Sequence, residues 1–558
     1  MMLATSYRVG MTHARTLIIT ALFALAGSSA SVFAQTHIGG PGATAELFNT
    51  MCAGCHSKDG SGGPAGTPSL LLDDMFDHVK GDEIDRRYFK AIKEGVPQGG
   101  MEPFKGSLND EKIWSLVVHI RELQHKAWRE HNNVTPDDDA KNASHVFSTQ
   151  RRNFRIERVA GHEPKTNLKT PWAIAFVPTD AQVESLRGAT IINEKRGTMR
   201  VLHADGTLSE PVAGIPKVSD RGQAGLLDVE LHPDYATNGW VYIGFTDFLD
   251  RTDDKGEKRR AIATKVVRGK LTPDAATKGA YGFTDQETIF ETRPENYITN
   301  AGVHFGCRIA FDPPIGDKPR AGYVYIGIGE HGQQDHAQVL TRHNGKIHRL
   351  HDDGKVPQDN PFIARASEDS KILPSIWSFG HRNPQGLAFN TKGELFNTEH
   401  GPRGGDEFNQ VAFAGNYGWP LVAYSINYAD TPFRTPWPEL DPKLADKQIK
   451  LPALRWLPSL GACGLAGGDA LINDPQPQDN WNETDFFAGG LAMACVRRVR
   501  VIDGKVTEHE EVVYGLGRVR DVVWGPKKTD ANGKSLPRDL YVVLNGPDQI
   551  IRLVDAGK

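Results

Sequence analysis

The chain has 558 residues, with 65 Lys and Arg against 69 Asp and Glu, which gives a formal net charge of −4. This length allows more than one domain. The balanced charge provides no basic field for nucleic acid or for an anionic lipid surface, so we expect no nucleic-acid partner. Glycine accounts for 58 residues, about a tenth of the chain and above the usual share of roughly 7%, which indicates many tight turns.

Residues 1–34 have the pattern of a cleaved signal peptide. Basic residues precede the apolar run Leu17–Ala26, and a small-residue cleavage site follows between Ala34 and Gln35. The apolar run is too short to span a bilayer, and no later segment is long enough. We therefore expect a periplasmic mature protein without a transmembrane segment. The alternative is an uncleaved anchor.

Residues 52–56, Cys-Ala-Gly-Cys-His, form the attachment pattern for heme c. Cys52 and Cys55 would add to the vinyl groups, and His56 would ligate the iron from one face. A redox dithiol or half of a zinc site is the alternative, but no second cysteine pair is present to complete a zinc cage.

The second axial ligand of the iron must come from downstream. Met101 is the first choice, because glycine and proline place it on a loop that can fold over the heme edge. Met75 is the alternative, although its apolar neighbours favour core packing.

The segment around the cysteines predicts a small all-α domain. A helix containing residues 45–48 runs into the cysteines, and Asn109 or Asp110 caps a second helix with apolar residues at helical spacing. This arrangement resembles class I cytochromes c and predicts a cytochrome domain at 35–130. The polar, aperiodic segment 131–149 predicts a linker without a hydrophobic seam, so that the following domain should fold alone.

Residues 150–558 contain six loosely repeated pairs of strand-like phrases. The first phrases are 172–176, 226–231, 308–311, 386–389, 464–466 and 521–524, and the second are 190–193, 240–245, 323–326, 394–396, 485–487 and 540–544. One such pair cannot bury its own faces, so the repetition predicts an all-β, six-bladed β-propeller. A β-sandwich is the alternative, but its strands would lie closer together along the chain.

Polar residues recur just before the first strand of several repeats. Equivalent positions in a propeller lie on the same rim, so these side chains should converge at one mouth of the central channel. They are Gln223, His304, Arg382, Asn383, Arg518 and Arg520.

The loop 398–409 is rich in glycine and acidic residues. Glycines allow backbone carbonyls to turn inward, and Asp406 and Glu407 add hard oxygen ligands, so Ca²⁺ is a sensible occupant. A solvated acidic turn is the alternative.

Three phrases carry a family resemblance: His-Arg-Asn-Pro-Gln-Gly at 381–386, the loop from Glu399 to Glu407, and Asn-Tyr-Gly-Trp-Pro at 416–420. With them, residues 150–558 resemble the soluble pyrroloquinoline-quinone-dependent glucose/sorbosone dehydrogenase family, six-bladed propellers that oxidise aldose sugars.

The resemblance implies a role for each matching position. His304 would be the general base for the anomeric hydroxyl, and Arg382 would polarise the quinone C5 carbonyl. Asn383, Arg518 and Arg520 would hold the polar edge of the quinone, the carbonyls of Gly401 and Pro402 would bind its Ca²⁺, Asp406 and Glu407 would bind this or a second Ca²⁺, and Gln223, Glu330 and Trp456 would face the sugar.

Two positions depart from the family pattern. Ala492 and Met493 stand where glucose dehydrogenases carry a quinone-binding lysine, so the quinone has one cationic contact fewer. Val303 stands where the glucose enzyme has an acidic residue before the base, which leaves open what orients His304.

Together these features predict a periplasmic quinohemoprotein. The propeller would oxidise an aldose sugar or related alcohol to a lactone or acid, and the tethered heme would pass electrons to a downstream cytochrome or respiratory-chain component. The alternatives are a calcium-dependent propeller lactonase and a non-catalytic sugar-binding propeller fused to an electron carrier.

Overall fold

The computed structural model describes residues 43–63, 66–71, 79–131, 144–252, 255–277, 279–299, 301–468, 481–533 and 535–557. The signal peptide expected at 1–34, the alternative ligand Met75 and most of the expected linker lie outside these residues. Within the described ranges, no helix combines the length and apolarity needed to cross a membrane.

The N-terminal part is helical, as predicted. Its helices are α1 (Ala43–Met51), α2 (Ala53–His56), α3 (Gly81–Glu94) and α4 (Asp110–His131). The Asn109 side chain accepts a hydrogen bond from the Lys112 N–H at 3.0 Å, so Asn109 rather than Asp110 caps α4. The sequence reasoning missed α3, although Ile84, Tyr88 and Ile92 recur every four residues on its buried face.

The first three blades of the propeller follow the two-residue strand β1 and the eight-residue strand β2. The first blade comprises β3–β5, the second β6–β10 and the third β11–β14. The bounds are β1 Phe147–Ser148, β2 Asn153–Ala160, β3 Pro171–Phe176, β4 Thr190–Glu194, β5 Thr198–Leu202, β6 Leu226–Leu231, β7 Trp240–Thr252, β8 Lys258–Pro273, β9 Tyr281–Glu291, β10 Ile298–Thr299, β11 Arg308–Phe311, β12 Tyr323–Ile328, β13 Lys346–His351 and β14 Ile376–Phe379, with the short helices α5 Tyr235–Asn238 and α6 Ile363–Glu368.

The fourth blade comprises β15–β18, the fifth β19–β22, and the sixth contains β23, β26 and β27. The bounds are β15 Pro384–Phe389, β16 Leu395–Glu399, β17 Asp406–Gln410, β18 Leu454–Trp456, β19 Ala462–Ala466, β20 Asp485–Gly490, β21 Cys495–Ile502, β22 Lys505–Tyr514, β23 Arg518–Trp524, β24 Lys528–Thr529, β25 Ser535–Leu536, β26 Leu540–Asn545 and β27 Gln549–Asp555. The two-stranded sheet β24–β25 is separate from the blades. All twelve predicted strand phrases overlap a strand, and the six-bladed propeller is confirmed.

The sixth blade joins the two ends of the propeller. Strand β2 pairs antiparallel with β27, with Ile156 opposite Leu553, and both side chains are buried. The first long strand after the cytochrome helices therefore completes the last blade and fastens the ring.

The cytochrome helices pack directly on the propeller. One hydrophobic cluster contains buried side chains from both parts of the chain. Helices α3 and α4 contribute to it, and so do Ile426 and Trp437, from the segment between β17 and β18, and Leu457, which follows β18. The Trp437 ring lies edge-on to Trp114 of α4, with 5.4 Å between ring centroids. The described residues thus form one compact unit, not a propeller with a tethered cytochrome as the polar linker suggested.

A buried ion cluster reinforces this interface. Arg455 of β18 donates to both Asp82 (2.9 Å) and Asp85 (2.8 Å) on α3. Arg121 of α4 lies 3.3 Å from the other oxygen of Asp85. Asp85, Arg121 and Arg455 are buried, whereas Asp82 is not. The two arginines therefore compensate the charge of a carboxylate, Asp85, that water does not reach.

Candidate functional site

A turn with positive φ values precedes β11 and carries His304, next to the neighbouring blade. His304 and Cys307 both have positive φ, at +59° and +75°. Gly329 lies against this turn, where a Cβ atom would come within 2.1 Å of the His304 carbonyl oxygen, so a side chain does not fit there. The His304 N–H donates to Gln223 Oε1 at 2.8 Å, which fixes the turn from the neighbouring blade.

The His304 ring is held by a carboxylate that the sequence reasoning assigned to another role. Its Nδ1 lies 2.5 Å from Glu330 Oε1. Glu330 was predicted to face the sugar, but this contact makes it the group that orients His304, and so supplies what Val303 does not. No sequence signal links the two residues, because the contact depends on the fold of the turn.

The protonation of this pair suits His304 for accepting a proton. Burial raises the pKa of Glu330 to about 7. Burial, together with the positive charge of Arg382, lowers the pKa of His304 well below its ordinary value. His304 is therefore neutral at neutral pH. When Glu330 is ionised, Nδ1–H donates to it and Nε2 keeps a free lone pair.

Arg382 lies beside this pair, and within the described residues its guanidinium donates only to neutral main-chain carbonyls. Its Nη1 donates to the carbonyls of Gly401 (2.8 Å) and His400 (3.2 Å), and its guanidinium lies 5.1 Å from the centroid of Trp419. Its Nε is buried without a partner among the described residues. A cation in this state favours an anionic or polar ligand at the channel mouth.

Arg520 is a second cation of this group, and it is half-buried; within the described residues its guanidinium donates to a neutral amide. It donates to Asn545 Oδ1 at 2.7 Å and lies over Trp172, 4.1 Å from the ring centroid. Burial and the nearby charge of Arg518 lower the pKa of Arg520 to about 10. The like charges of these two neighbouring arginines repel each other, so the pair fits a ligand that carries carboxylates.

His400 and Asn383 connect these groups. Burial lowers the pKa of His400 to about 4; the nearby Asp406 carboxylate opposes this shift, and the positive charges of Arg382 and Arg520 add to it. Asn383 Oδ1 accepts from the Gly306 N–H at 3.1 Å, beside the His304 turn. The structure therefore brings together all the rim residues that the repeats pointed to, namely Gln223, His304, Arg382, Asn383, Arg518 and Arg520.

Asp406 does not fit its predicted role as a calcium ligand. Its Oδ1 accepts from the Gly401 N–H (2.9 Å) and the Ser459 hydroxyl (3.1 Å), and its Oδ2 accepts from the N–H groups of Gly461 and Ala462. Four donors fill the lone-pair sites of a carboxylate. Asp406 thus holds the loop so that the Gly401 carbonyl reaches Arg382.

Glu407 fits a cation better than Asp406 does. Asn409 Nδ2 donates to both Glu399 and Glu407 at 3.0 Å, while Asn409 Oδ1 is buried without a partner among the described residues. Burial and the adjacent carboxylates of Glu399 and Asp406 raise the pKa of Glu407 well above its ordinary value. Within the described ranges, no three His, Cys, Asp or Glu side chains form a metal-binding group, so amide and main-chain oxygens would complete the ligand set.

Trp456 does not fit its predicted contact with the sugar. Only 2% of the residue is exposed, and it packs with Phe396 and Phe408 in a hydrophobic cluster. Its indole N–H donates to His509 Nε2 at 2.9 Å. A buried indole with its single donor satisfied is a packing residue.

The residues predicted to hold heme fit such a group. Cys52 is half-buried and Cys55 exposed, and both thiols are free. Burial and the neighbouring Cys55 raise the pKa of Cys52 to about 11. His56 Nδ1 is buried without a partner among the described residues. Cys52 and Met101 belong to one hydrophobic cluster, so an apolar wall adjoins the attachment site.

We predict that Met101→Ala removes the near-infrared band of sulfur-to-iron ligation while the heme stays covalently attached. Backbone hydrogen bonds with Val96, of 2.8 and 3.2 Å, fix the loop position of Met101 on the cluster that contains Cys52. Absorption spectra of the oxidised protein would test this, with heme attachment followed on denaturing gels. If the band persists in the variant, another residue is the sixth ligand.

Comparison with known proteins matches this architecture. The family described as "Glucose / Sorbosone dehydrogenase" matches residues 168–530. The family described as "Cytochrome C oxidase, cbb3-type, subunit III" matches residues 41–120. The two matches cover most of the propeller and most of the helical part, in the predicted order.

Individual relatives agree with the family match. The aldose sugar dehydrogenase YliI of Escherichia coli (strain K12) is 36% identical over 362 residues, covering 64% of this chain and 85% of the relative. The quinoprotein glucose dehydrogenase B of Acinetobacter calcoaceticus is 29% identical over 275 residues, covering 46% of this chain and 52% of that protein. The crystal structure of the soluble aldose sugar dehydrogenase from Escherichia coli in the apo form is 32% identical, covers 72% of this chain and 99% of that chain, and has a TM-score of 0.55. The chain therefore belongs to the glucose/sorbosone dehydrogenase family, with a cytochrome c domain preceding the propeller.

Proposed function

We propose that this protein is a periplasmic quinohemoprotein that oxidises an aldose sugar, or a related alcohol, to the lactone or acid. The observation that carries the proposal is the His304–Glu330 pair beside the Arg382 guanidinium, together with Arg520, whose guanidinium donates to a neutral amide. The names of the relatives, an aldose sugar dehydrogenase and a quinoprotein glucose dehydrogenase, support the same reaction. The signal-peptide pattern and heme attachment motif support the compartment.

Each residue of the site has a task in this reaction. When bound, pyrroloquinoline quinone supplies a two-electron acceptor for the sugar, and heme c supplies a one-electron acceptor for the next transfer. His304 Nε2 takes the proton of the anomeric hydroxyl, and Glu330 stabilises the resulting imidazolium through Nδ1–H. Arg382 places a fixed positive charge where negative charge develops.

Other residues hold the cofactors. Arg518 and Arg520 would bind carboxylates of the quinone, with Asn383 beside them. The carbonyls of Gly401 and Pro402 remain the proposed ligands of the calcium ion at the quinone. Glu407, Glu399 and Asn409 would bind a second calcium ion that neutralises the two adjacent carboxylates.

We predict that the rate of sugar oxidation rises as pH increases through about 7, the pKa to which burial raises Glu330. The direction of this pH dependence follows from which nitrogen of the His304 ring carries the proton. Protonated Glu330 donates to Nδ1, so the proton of neutral His304 sits on Nε2, which then cannot accept another. Ionised Glu330 instead accepts a hydrogen bond from Nδ1–H, which leaves Nε2 free to take the proton of the sugar. The test is kcat/KM against pH, and Glu330→Gln should lose this step. A step that survives in the variant belongs to another group.

We also predict that Ca²⁺ raises the thermal unfolding temperature of the protein and that Glu407→Gln reduces this rise. Bound cation removes the repulsion between Glu407 and Glu399, and it stabilises only the folded state. Scanning calorimetry with Ca²⁺ or with chelator measures the effect. Glu368→Gln, on an exposed helix end, is the matched control. An equal rise in both variants would exclude Glu407 as a ligand.

The deciding experiment follows the heme absorbance. The purified full-length protein is supplied with pyrroloquinoline quinone and Ca²⁺, and an aldose such as glucose is then added. We expect the heme to become reduced when sugar is added, as seen in its Soret band, and we expect no such change without the quinone. Sugar binding without any reduction would indicate a binding protein, and hydrolysis of a lactone without reduction would indicate the lactonase.

A further inference from the structure

Arg403 directly follows Gly401 and Pro402, the proposed calcium and quinone loop, yet its side chain points to the cytochrome domain. Its Nη2 donates to Glu122 Oε2 of α4 at 3.0 Å, and its Nη1 donates to Asp430 Oδ1 at 2.6 Å. The Arg403 and Glu122 side chains are each 22% exposed, so this ion pair is partly shielded from water. One guanidinium thus joins the quinone loop to a cytochrome helix.

Asp430 continues this connection to α1, the helix that leads into the heme motif. Its carbonyl accepts from the N–H (3.1 Å) and the hydroxyl (3.0 Å) of Thr44, and its Oδ2 accepts from the Ala45 N–H at 3.3 Å. These contacts satisfy the N-terminus of α1, whose other end reaches Cys52. At 1.5 Å per residue, roughly 12 Å of helix separate Thr44 from Cys52.

We propose that Arg403 is a positioning residue that joins the quinone loop to α4 and, through Asp430, to the helix that leads into the heme motif, so that the two cofactors are held at a fixed separation. This inference rests on the proposed function, because it assigns the contact a purpose in electron transfer. Arg403 suits the task because its planar guanidinium binds two carboxylates in a fixed geometry, which a lysine ammonium does not.

The rest of the interface excludes a swinging cytochrome. Movement of α3 away from the propeller would separate Asp85 from Arg455 and expose Trp437. Separating a buried carboxylate from its arginine is costly, and so is the exposure of a large apolar ring. Electron transfer between the domains therefore occurs in the docked arrangement.

The experiment uses full-length, heme-loaded protein with pyrroloquinoline quinone, Ca²⁺ and glucose. Stopped-flow absorbance gives the rate of heme reduction. Dividing this rate by the dye-linked turnover of the same variant gives the normalised heme-reduction rate. Glu122→Lys puts a second cation against Arg403, and Glu439→Lys makes the same change at the exposed rim contact with Arg86. If the interface is fixed, no domain movement precedes electron transfer, so added glycerol should leave the heme-reduction rate of the parent protein unchanged.

We expect Glu122→Lys to lower the normalised heme-reduction rate by about tenfold or more, because like charges at an interface oppose docking. Glu439→Lys should keep the parent rate. If Glu122→Lys does not fold, Glu122→Gln removes the ion pair without repulsion and should lower the rate less. An unchanged normalised rate in the Glu122 variant that folds overturns the proposal.

A second readout does not need enzyme activity. Denaturant unfolding is followed by heme absorbance, which reports the cytochrome domain, and by tryptophan fluorescence. The two transitions should coincide in the parent and in Glu439→Lys, and separate in Glu122→Lys. Coincident transitions in Glu122→Lys overturn the role of Arg403. Absence of dye-linked sugar oxidation in the parent would instead overturn the proposed function, and the unfolding comparison would still decide whether Arg403 fastens the domains.

Discussion

Replacing His304 by glutamine is expected to lower sugar turnover by roughly 10²- to 10⁴-fold, the contribution typical of a general base. Glutamine keeps the polar contact near Glu330 but offers no nitrogen lone pair to the anomeric hydroxyl. Binding of the quinone should persist, because the proposed quinone contacts lie on other residues. Dye-linked turnover at saturating acceptor, together with a separate measurement of quinone binding, would test both expectations.

His351→Gln provides the matched control for this change. His351 lies on β13, half-buried against Tyr323 with 5.1 Å between ring centroids, in the side of the third blade. Its replacement should leave turnover near the parent value. Equal turnover in His304→Gln and in the control, under conditions where the chemical step limits the rate, would remove His304 from the mechanism.

Asp85→Ala is expected to lower the free energy of unfolding by about 3–5 kcal/mol, the range for breaking a buried ion pair by removing one partner. The change leaves Arg455 and Arg121 buried without the carboxylate that compensates them. It acts on the contact between the cytochrome and the propeller, although neither cofactor site loses a residue. Denaturant titrations of the full-length protein measure the effect.

Two comparisons make this prediction specific. Asp503→Asn removes the charge of a carboxylate that is 86% exposed and keeps a residue type that tolerates the positive φ there, so it should change stability by no more than about 0.5 kcal/mol. Asp85→Leu combined with Arg455→Met removes both buried charges and should cost less than Asp85→Ala alone. A double variant as unstable as the sum of its single changes would mean that the two groups are not coupled across the interface.

The local sequence was sufficient for the propeller and insufficient for the way the cytochrome sits on it. Apolar strand phrases and turn residues are local, and all twelve overlap strands. Helix α3 was missed because its buried face includes Asp85, which a hydrophobic pattern counts as polar. The reason for that burial is Arg455, 370 residues away, and no local pattern contains this partner.

The site shows the same division between local and distant information. Repeat position brought His304 and Arg382 to one rim, because equivalent positions of blades share an edge. The partner of His304 depends on a turn with positive φ that the sequence does not reveal. Asp406 was assigned from the acidic loop and Trp456 from the resemblance, but both are engaged by distant residues, Gly461 for the carboxylate and His509 for the indole.

The pairing of β2 with β27 also determines the order in which the molecule can mature. A chain made from its N-terminus presents the cytochrome helices first. The apolar faces of α3 and α4 then remain uncovered until Trp437 and Leu457 have been synthesised and folded. The ring itself closes only when β27 arrives, since residues such as Glu157 and Arg552, which pair across the closure, are 395 positions apart. The cytochrome helices are thus made before the propeller, yet they reach their final surroundings only after most of it has been made.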